Sequence, residues 1–220
     1  PVDEIQKSLR NSCPDYTFYN DVLQMTARTD EGWKIGSRFG YPGIQHSHND
    51  IGEVILFVDN NPILIDVGVA TYTADTFGPN RFKLWSMRSD WHSCASPNSV
   101  LQRNGWDYGS KDCTCTQKDG VIYFSSDIAN CYDRAAMCDS YKREIELNGN
   151  AGNYLLIRDT YSLSQRTAPD LEYFVTPGNV KKLTDTSVLI ESEDTKMILE
   201  WSANLSVKIE EAEIPEASLK

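Results

Sequence analysis

"EVILFVDNNPILIDVG", residues 53–68, contains two apolar runs separated by four residues that favour a turn. Each run is rich in Val, Ile and Leu and is too short for a typical helix, which favours strands. Asn60 and Asn61 readily adopt the positive φ that a tight hairpin turn requires. The segment therefore predicts two antiparallel strands, roughly at 52–58 and 62–67.

Similar apolar runs with turn residues between them continue towards the end of the chain. They are "GVIYFSSDI" (120–128), "YKREIELN" (141–148), "NYLLIRDTYSL" (153–163), "LEYFVT" (171–176), "SVLIES" (187–192), "KMILEW" (196–201) and "LSVKIE" (205–210). Many short strands are typical of an antiparallel β-sandwich. We expect an all-β chain that forms one large antiparallel β-sandwich domain over residues 1–220.

Helix-like sequence is confined to residues 1–27. Asp3 and Glu4 suit the first turn of a helix, and Ile5 and Leu9 lie four residues apart. We expect a short helical or irregular segment there. Because no initiator Met precedes Pro1, we also expect the chain to be a processed or excised part of a longer protein.

The charge of the chain limits its partners. The formal net charge is −11, whereas binding to nucleic acid requires clustered Lys and Arg. No apolar run approaches the roughly 20 residues of a membrane span. We therefore expect neither a nucleic-acid partner nor a membrane partner. The six cysteines permit disulfides or free thiols, and the sequence selects neither.

Two of the three histidines, His46 and His48, stand one residue apart. On a strand such residues share a face, so the pair would present two imidazoles to one point. Neutral imidazole is a good zinc ligand and an acid–base group near neutral pH. Asp66 lies in an apolar run, where a carboxylate is costly unless it is paired or bound to metal. With His92, these residues are candidate metal ligands.

Each of these residues also has a purely structural interpretation. A His-x-His pair is common on protein surfaces and in cores, without a metal. Asp66 has Gly68 beside it and is suited to accepting backbone hydrogen bonds there. His92 is suited to bonding a backbone carbonyl.

The spacing around the histidines also resembles the first motif of the cupin family. Gly40 stands six residues before His46, and Glu53 stands five residues after His48. In a cupin-like metalloenzyme Glu53 is a ligand and Asp66 is not. The closing glycine of that motif is missing at position 60, and the second cupin motif is missing around the third histidine. We therefore favour this alternative less.

A longer series of landmarks resembles the heparinase II/III-like family of bacterial polysaccharide lyases. The landmarks are "HSHNDIG" (46–52), "DVG" (66–68), "TYTA" (71–74), "RFKLW" (81–85), "SDWH" (89–92) and Gln102. The resemblance is close over about 25–105 and looser afterwards, through Arg143 and "IRDTY" (157–161).

The resemblance implies a C-terminal β-sandwich that follows an N-terminal α/α toroid, with a cleft between them. It implies a structural zinc ion bound by His48, Asp66 and His92, and a catalytic role for His46 in the cleft. The implied reaction is β-elimination beside a uronic acid, on an acidic polysaccharide or oligosaccharide. Because the tyrosine acid belongs to the toroid, this fragment alone is expected to be inactive. A non-catalytic carbohydrate-binding or structural β-sandwich is the alternative.

Two stretches depart from the family pattern. "SRFGYPGIQ" (37–45) lacks the Ala-Lys-Gly-Gly sequence that is usual in the substrate-facing loop. "SCASPNS" (93–99) stands where the family usually has a sequence of the Asn-Leu-Pro type. Arg81 and Arg88 are candidates for binding a carboxylate or sulfate of the substrate, although surface salt links are the alternative for both. The net charge of −11 favours two expectations together: the toroid supplies cations for the substrate, and the substrate is a uronate polymer or oligosaccharide that need not be heparin.

Overall fold

The computed structural model describes residues 15–69, 71–150 and 152–214, and within them the chain is all-β, as expected. Every paired strand is antiparallel to its neighbour. The strands are β1 (Tyr16–Tyr19), β2 (Gln24–Arg28), β3 (Trp33–Arg38), β4 (Val54–Val58), β5 (Asn61–Leu64), β6 (Ala95–Ser96), β7 (Lys111–Lys118), β8 (Val121–Asp127), β9 (Cys138–Asn148), β10 (Tyr154–Leu163), β11 (Leu171–Glu172), β12 (Asn179–Thr184), β13 (Ser187–Ser192) and β14 (Thr195–Glu200).

The strands form four sheets. The first runs β1-β2-β3-β4-β5 and the second runs β10-β9-β8-β7. Two smaller sheets pair β11 with β6 and join β12, β13 and β14. Apolar side chains of the two large sheets meet in one core, where the ring of Phe124 lies 4.7 Å from that of Phe39 and 5.7 Å from that of Phe18.

The alternation of side chains explains which face of the second sheet is buried. Along β9, Tyr141, Ile145 and Leu147 are buried and alternate with more exposed residues, as the period of two requires. Arg143 has the same inward register and is fully buried. The core face of this sheet therefore carries a charged side chain, whose partners lie near the candidate site.

The hairpin predicted from residues 53–68 is formed by β4 and β5. Its turn residues with positive φ are Asp59 and Asn60, at 51° and 69°, so the expected pair Asn60 and Asn61 is displaced by one residue. Strand β5 ends at Leu64, because the next residue donates its N–H to the carbonyl of Val175. Asp66 therefore lies just beyond the strand instead of inside it.

The long connection from β5 to β7 contains a series of short 3-10 turns. Two further turns precede β9, and no turn in the described part of the chain exceeds four residues. The turns are Ala74–Phe77, Arg81–Lys83, Trp85–Met87, Ser89–Trp91, Pro97–Ser99, Ala129–Cys131 and Arg134–Ala136. Among the described residues, no helix is long and apolar enough to cross a membrane.

Several expectations from the sequence need correction. The proposed helical segment falls partly on residues 1–14, which lie outside the described residues, and the rest of it contains β1 and β2. Residues 205–210 form no strand: Leu205, Val207 and Ile209 are exposed and the segment pairs with no described strand. An apolar alternation is therefore not enough to predict a strand when no partner strand is available.

The five described cysteines, whose oxidation state the sequence left open, are free thiols.

Candidate metal centre and adjoining groove

The two neighbouring histidines lie in the loop between β3 and β4, not on a strand. His46 has a left-handed backbone with φ of 61° and is exposed, whereas His48 is buried. The expectation that both imidazoles share one strand face is therefore wrong. The left-handed residue turns the chain, so the two side chains enter different surroundings.

The loop that carries His48 is held by hydrogen bonds to Gln102. The Gln102 Oε1 accepts from the backbone N–H of Ile51 at 2.9 Å, and its Nε2 donates to the carbonyl of Ile51 at 2.7 Å. The side-chain amide of Asn49 donates to the carbonyl of Gln102 at 3.1 Å. These bonds fix the backbone on either side of the loop's buried polar residues.

His48, Asp66 and His92 converge, as the sequence predicts. Each offers one ligand atom, and these atoms lie within 4.8 Å of one another. The Asp66 Oδ2 is 3.7 Å from His92 Nδ1 and 3.9 Å from His48 Nδ1. Ligands of a tetrahedral zinc ion are about 3.3 Å apart, because each lies about 2.0–2.1 Å from the metal. The residues present fit such an ion after a small inward shift.

Hydrogen bonds orient two of these ligands. The Asp66 Oδ1 accepts from the N–H of Gly68 at 2.5 Å, which leaves Oδ2 facing the histidines. The His92 Nε2 lies 3.1 Å from the carbonyl oxygen of Ser86. Because a carbonyl only accepts, Nε2 carries a hydrogen and Nδ1 is the nitrogen free to bind a metal. The structural interpretations of Asp66 and His92 thus coexist with ligation.

Two further carboxylates surround the cluster. One oxygen from each of Asp50, Glu53 and Asp66 lies within 4.8 Å of the other two, and the first two residues are buried. Asp50 is paired with Arg38 at 3.0 Å. The Glu53 Oε1 lies 3.1 Å from His92 Nδ1. This nitrogen therefore faces carboxylate oxygens, an arrangement that requires a proton or a metal cation between them.

Burial and charge shift the pKa values in this cluster. Burial lowers the pKa of His92, but the hydrogen bond and charge of Glu53 and the charges of Asp50 and Asp66 outweigh it, raising the pKa to about 9. Burial raises the pKa of Glu53 to about 7, against the hydrogen bond and charge of His92. Burial lowers the pKa of His48, against the charge of Asp66, which favours the neutral imidazole that binds metals.

The two family resemblances selected different carboxylates as ligands: the cupin motif selected Glu53 and the heparinase II/III-like pattern selected Asp66. The structure brings both to His92. The cupin spacing was the signal that singled out Glu53 in the sequence analysis, and it excluded Asp66. A second signal was available but was not used: Asp50 and Glu53 follow closely on His48, just before a buried strand.

His46 lies outside the cluster, on an open groove of about 480 Å³. Its ring contacts that of Phe77 edge-on, with centroids 5.8 Å apart. Phe77 and Trp106 line the groove and are 64% and 67% exposed, and Tyr72, 60% exposed, packs edge-on against Phe77 at 5.2 Å. Aromatic faces of this extent, open to solvent beside an imidazole, are a surface that suits a ligand.

The structure also places the two candidate substrate-binding arginines. Arg81 lines the groove, and its guanidinium donates to the carbonyls of Ser47 at 2.9 Å and Thr76 at 2.7 Å. Arg88 is paired with Asp90 at 2.5 Å, and its side chain is 41% exposed. Arg81 is therefore beside His46, whereas Arg88 does not line this groove.

Comparisons with known proteins agree with this fold. A family model described as heparinase II/III-like, C-terminal, matches residues 22–216. A solved heparinase III gene product has a TM-score of 0.67 at 14% identity, covering 86% of this chain and 29% of that one. A mutant heparan sulfate lyase from Pedobacter heparinus has a TM-score of 0.65 at 16% identity, covering 83% and 28%. This chain thus spans less than a third of each solved protein. A search of curated protein sequences gives no significant match.

Proposed function

The chain belongs to the heparinase II/III-like, C-terminal family, and from this premise we propose that it is the β-sandwich part of a polysaccharide lyase. The proposed substrates are glycans that contain uronic acid, cleaved by β-elimination. The observation that supports this proposal is the position of His46. It is exposed on a groove, two residues from His48 in the buried cluster.

β-Elimination beside a uronic acid has three requirements. The charge of the C6 carboxylate must be stabilised, the proton at C5 removed and the departing O4 protonated. His46 is the imidazole that the groove presents to solvent. We assign it to neutralising the carboxylate or removing the C5 proton. In this proposal the remaining acid–base group comes from an N-terminal toroid in the rest of the protein.

The groove offers contacts of the type that bind sugars. The exposed rings of Phe77 and Trp106 present flat apolar faces, and the amides of Gln45 and Asn104 add hydrogen-bonding groups at its lining. Arg81 uses three of its five N–H groups on backbone carbonyls. Its remaining N–H groups are candidates for a substrate carboxylate, whereas Arg88 is a candidate only through its exposed portion.

We assign His48, Asp66 and His92 to holding a divalent ion, with zinc as the expected metal. When bound, the ion supplies a cross-link between the His46 loop, the end of β5 and the turn that precedes β6. The role of these residues is to hold the His46 loop in place beside the groove. No step of the reaction requires the ion itself.

The proposed function is tested with the full-length protein that contains this chain. The protein is incubated with unsulfated uronate polymers and with sulfated glycosaminoglycans, and the unsaturated uronate product is followed by its ultraviolet absorbance. We expect product from an unsulfated uronate glycan, because the chain carries a net charge of −11. Binding without any product from a folded full-length protein would instead support a carbohydrate-binding sandwich, which the aromatic groove also suits.

A further inference from the structure

We propose that Glu53 is a fourth ligand of the ion held by His48, Asp66 and His92. The site would then contain two imidazoles and two carboxylates. This inference rests on the metal site of the proposed function and adds to it a residue that the three-ligand set omits.

The orientation of His92 leads to this assignment. Its Nε2 is engaged with the carbonyl of Ser86, so Nδ1 is the nitrogen available to an ion. On that side of the ring, the Glu53 Oε1 lies at 3.1 Å and the Asp66 Oδ2 at 3.7 Å. The shorter distance is close to the spacing of about 3.3 Å between two ligands of one tetrahedral ion. In the proposed site, an ion bound to Nδ1 and Asp66 also binds Glu53 after a small shift of that carboxylate.

Electrostatics favour ligation over displacement of Glu53. The residue is 3% exposed, and its side chain has His92 as its hydrogen-bond partner among the described residues. An ion that binds Nδ1 displaces the proton shared by the two groups. The buried carboxylate would then have no partner, a costly state that binding to the ion removes.

The backbone holds Glu53 close to His92. The N–H of Glu53 donates to the carbonyl of Asp50 at 3.1 Å, and the hydroxyl of Ser37 donates to the carbonyl of Glu53 at 2.6 Å. Arg143 Nη1 donates to Gly52 and Ser93, the residues next to Glu53 and His92, at 3.0 and 3.4 Å. These bonds restrict how far the carboxylate can withdraw from an ion.

Metal binding to variants of the full-length protein tests the inference. The protein is stripped with a chelator, and Zn²⁺ affinity is measured by competition with a chromophoric chelator. The visible spectrum of bound Co²⁺, which depends on the number and type of ligands, is recorded in parallel. Glu53→Gln is the main variant, because its amide can donate to the free Nδ1 and keep the buried pair satisfied. Glu200→Gln, on exposed β14, is the control.

We expect Glu53→Gln to weaken Zn²⁺ binding at least about tenfold and to change the Co²⁺ spectrum, while Glu200→Gln matches the wild type. If Glu53→Gln does not fold, as judged by circular dichroism, Glu53→Asp repeats the test with the charge kept and the reach shortened. Wild-type affinity and spectrum in the folded Glu53 variant would overturn the fourth ligand and leave the metal site standing. If the wild type and Asp66→Asn bind Zn²⁺ and Co²⁺ equally, the metal site itself fails.

Discussion

The buried guanidinium of Arg143 donates a hydrogen bond to the backbone carbonyl of Gly52 at 3.0 Å. Gly52 has φ of +84°, and a Cβ there would lie 3.0 Å from Cδ of Arg143. The positive φ favours glycine at this position, and the close approach leaves little room for a side chain unless Arg143 shifts. The second sheet is thereby joined to the loop that carries His48.

Arg143 also determines the stability of this junction. Its guanidinium binds both carboxylate oxygens of Asp159, at 2.9 and 2.6 Å, and Glu172 at 2.5 Å. Arg143→Met leaves these carboxylates without their cation, so we expect the free energy of unfolding to fall by about 3–5 kcal/mol. Urea denaturation of the wild type and the variant measures this loss in the free energy of unfolding. Lys142→Met, an exposed change on the same strand, is expected to stay within about 0.5 kcal/mol. Equal losses in both variants would contradict the prediction.

His48→Ala is expected to abolish the stabilisation of the protein by zinc. An ion at a hundredfold excess over its Kd adds about 2.7 kcal/mol to the free energy of unfolding, and the alanine variant loses the ligand that His48 supplies. The melting temperature is measured with zinc and after chelation. His46→Ala is the matched control, because His46 lies outside the cluster and should keep the zinc-dependent rise. An undiminished rise in His48→Ala would rule out this ligand.

Much of the fold follows from local sequence, because the alternation of apolar residues is a local property. It predicts β8, β9, β10, β13 and β14 as well as the β4–β5 hairpin. The same reasoning fails for residues 205–210, since the presence of a partner strand is a property of the whole fold. It also misses β7, because most side chains of that strand are polar and exposed and its sequence therefore shows no apolar alternation.

The candidate site is only partly predictable from the sequence. His48, Asp66 and His92 meet because loops from different parts of the chain converge, and the family resemblance supplied this grouping. The left-handed conformation of His46 separates it from His48, which a strand period does not reveal. The cupin spacing singled out Glu53, but its contact with His92 joins residues 39 apart in sequence and is not indicated by any local pattern.

The stability of the metal-free protein is expected to fall as pH rises. The pKa of His92 is about 9 in the folded state, against about 6.5 when unfolded. The folded protein therefore binds this proton more tightly, and the stabilisation is complete below about pH 6.5 and lost as pH passes through about 9. Glu53, with its pKa raised to about 7, acts in the same direction at lower pH.

Urea denaturation of chelator-treated protein at a series of pH values measures this dependence. Glu53→Gln removes the charge that raises the pKa of His92, so the fall in stability between neutral pH and about pH 9 should become shallower in that variant. Zinc affinity should rise over the same interval, because binding displaces the proton. Parallel pH profiles for the wild type and the variant would contradict this prediction.

His46→Ala in the full-length protein is expected to lower kcat by about 100-fold or more, the usual contribution of a positioned acid–base group. The fold and the metal content should not change, because the His46 side chain is exposed and lies outside the ligand cluster. Initial rates of product formation, circular dichroism and elemental analysis are measured on the same preparation. An unchanged kcat would exclude His46 from the chemistry.

Trp106→Ala is expected to weaken glycan binding without a large effect on the chemical step. The indole is 67% exposed and lines the groove with His46, but its ring contact is with Tyr41, at 6.2 Å, and not with the imidazole. Loss of one aromatic contact corresponds to about 1 kcal/mol, or roughly a fivefold rise in KM. Ile198→Ala is the control, because Ile198 is similarly exposed, at 55%, on β14 and does not line the groove. A fall in kcat at unchanged KM would place Trp106 in the chemistry instead of in binding.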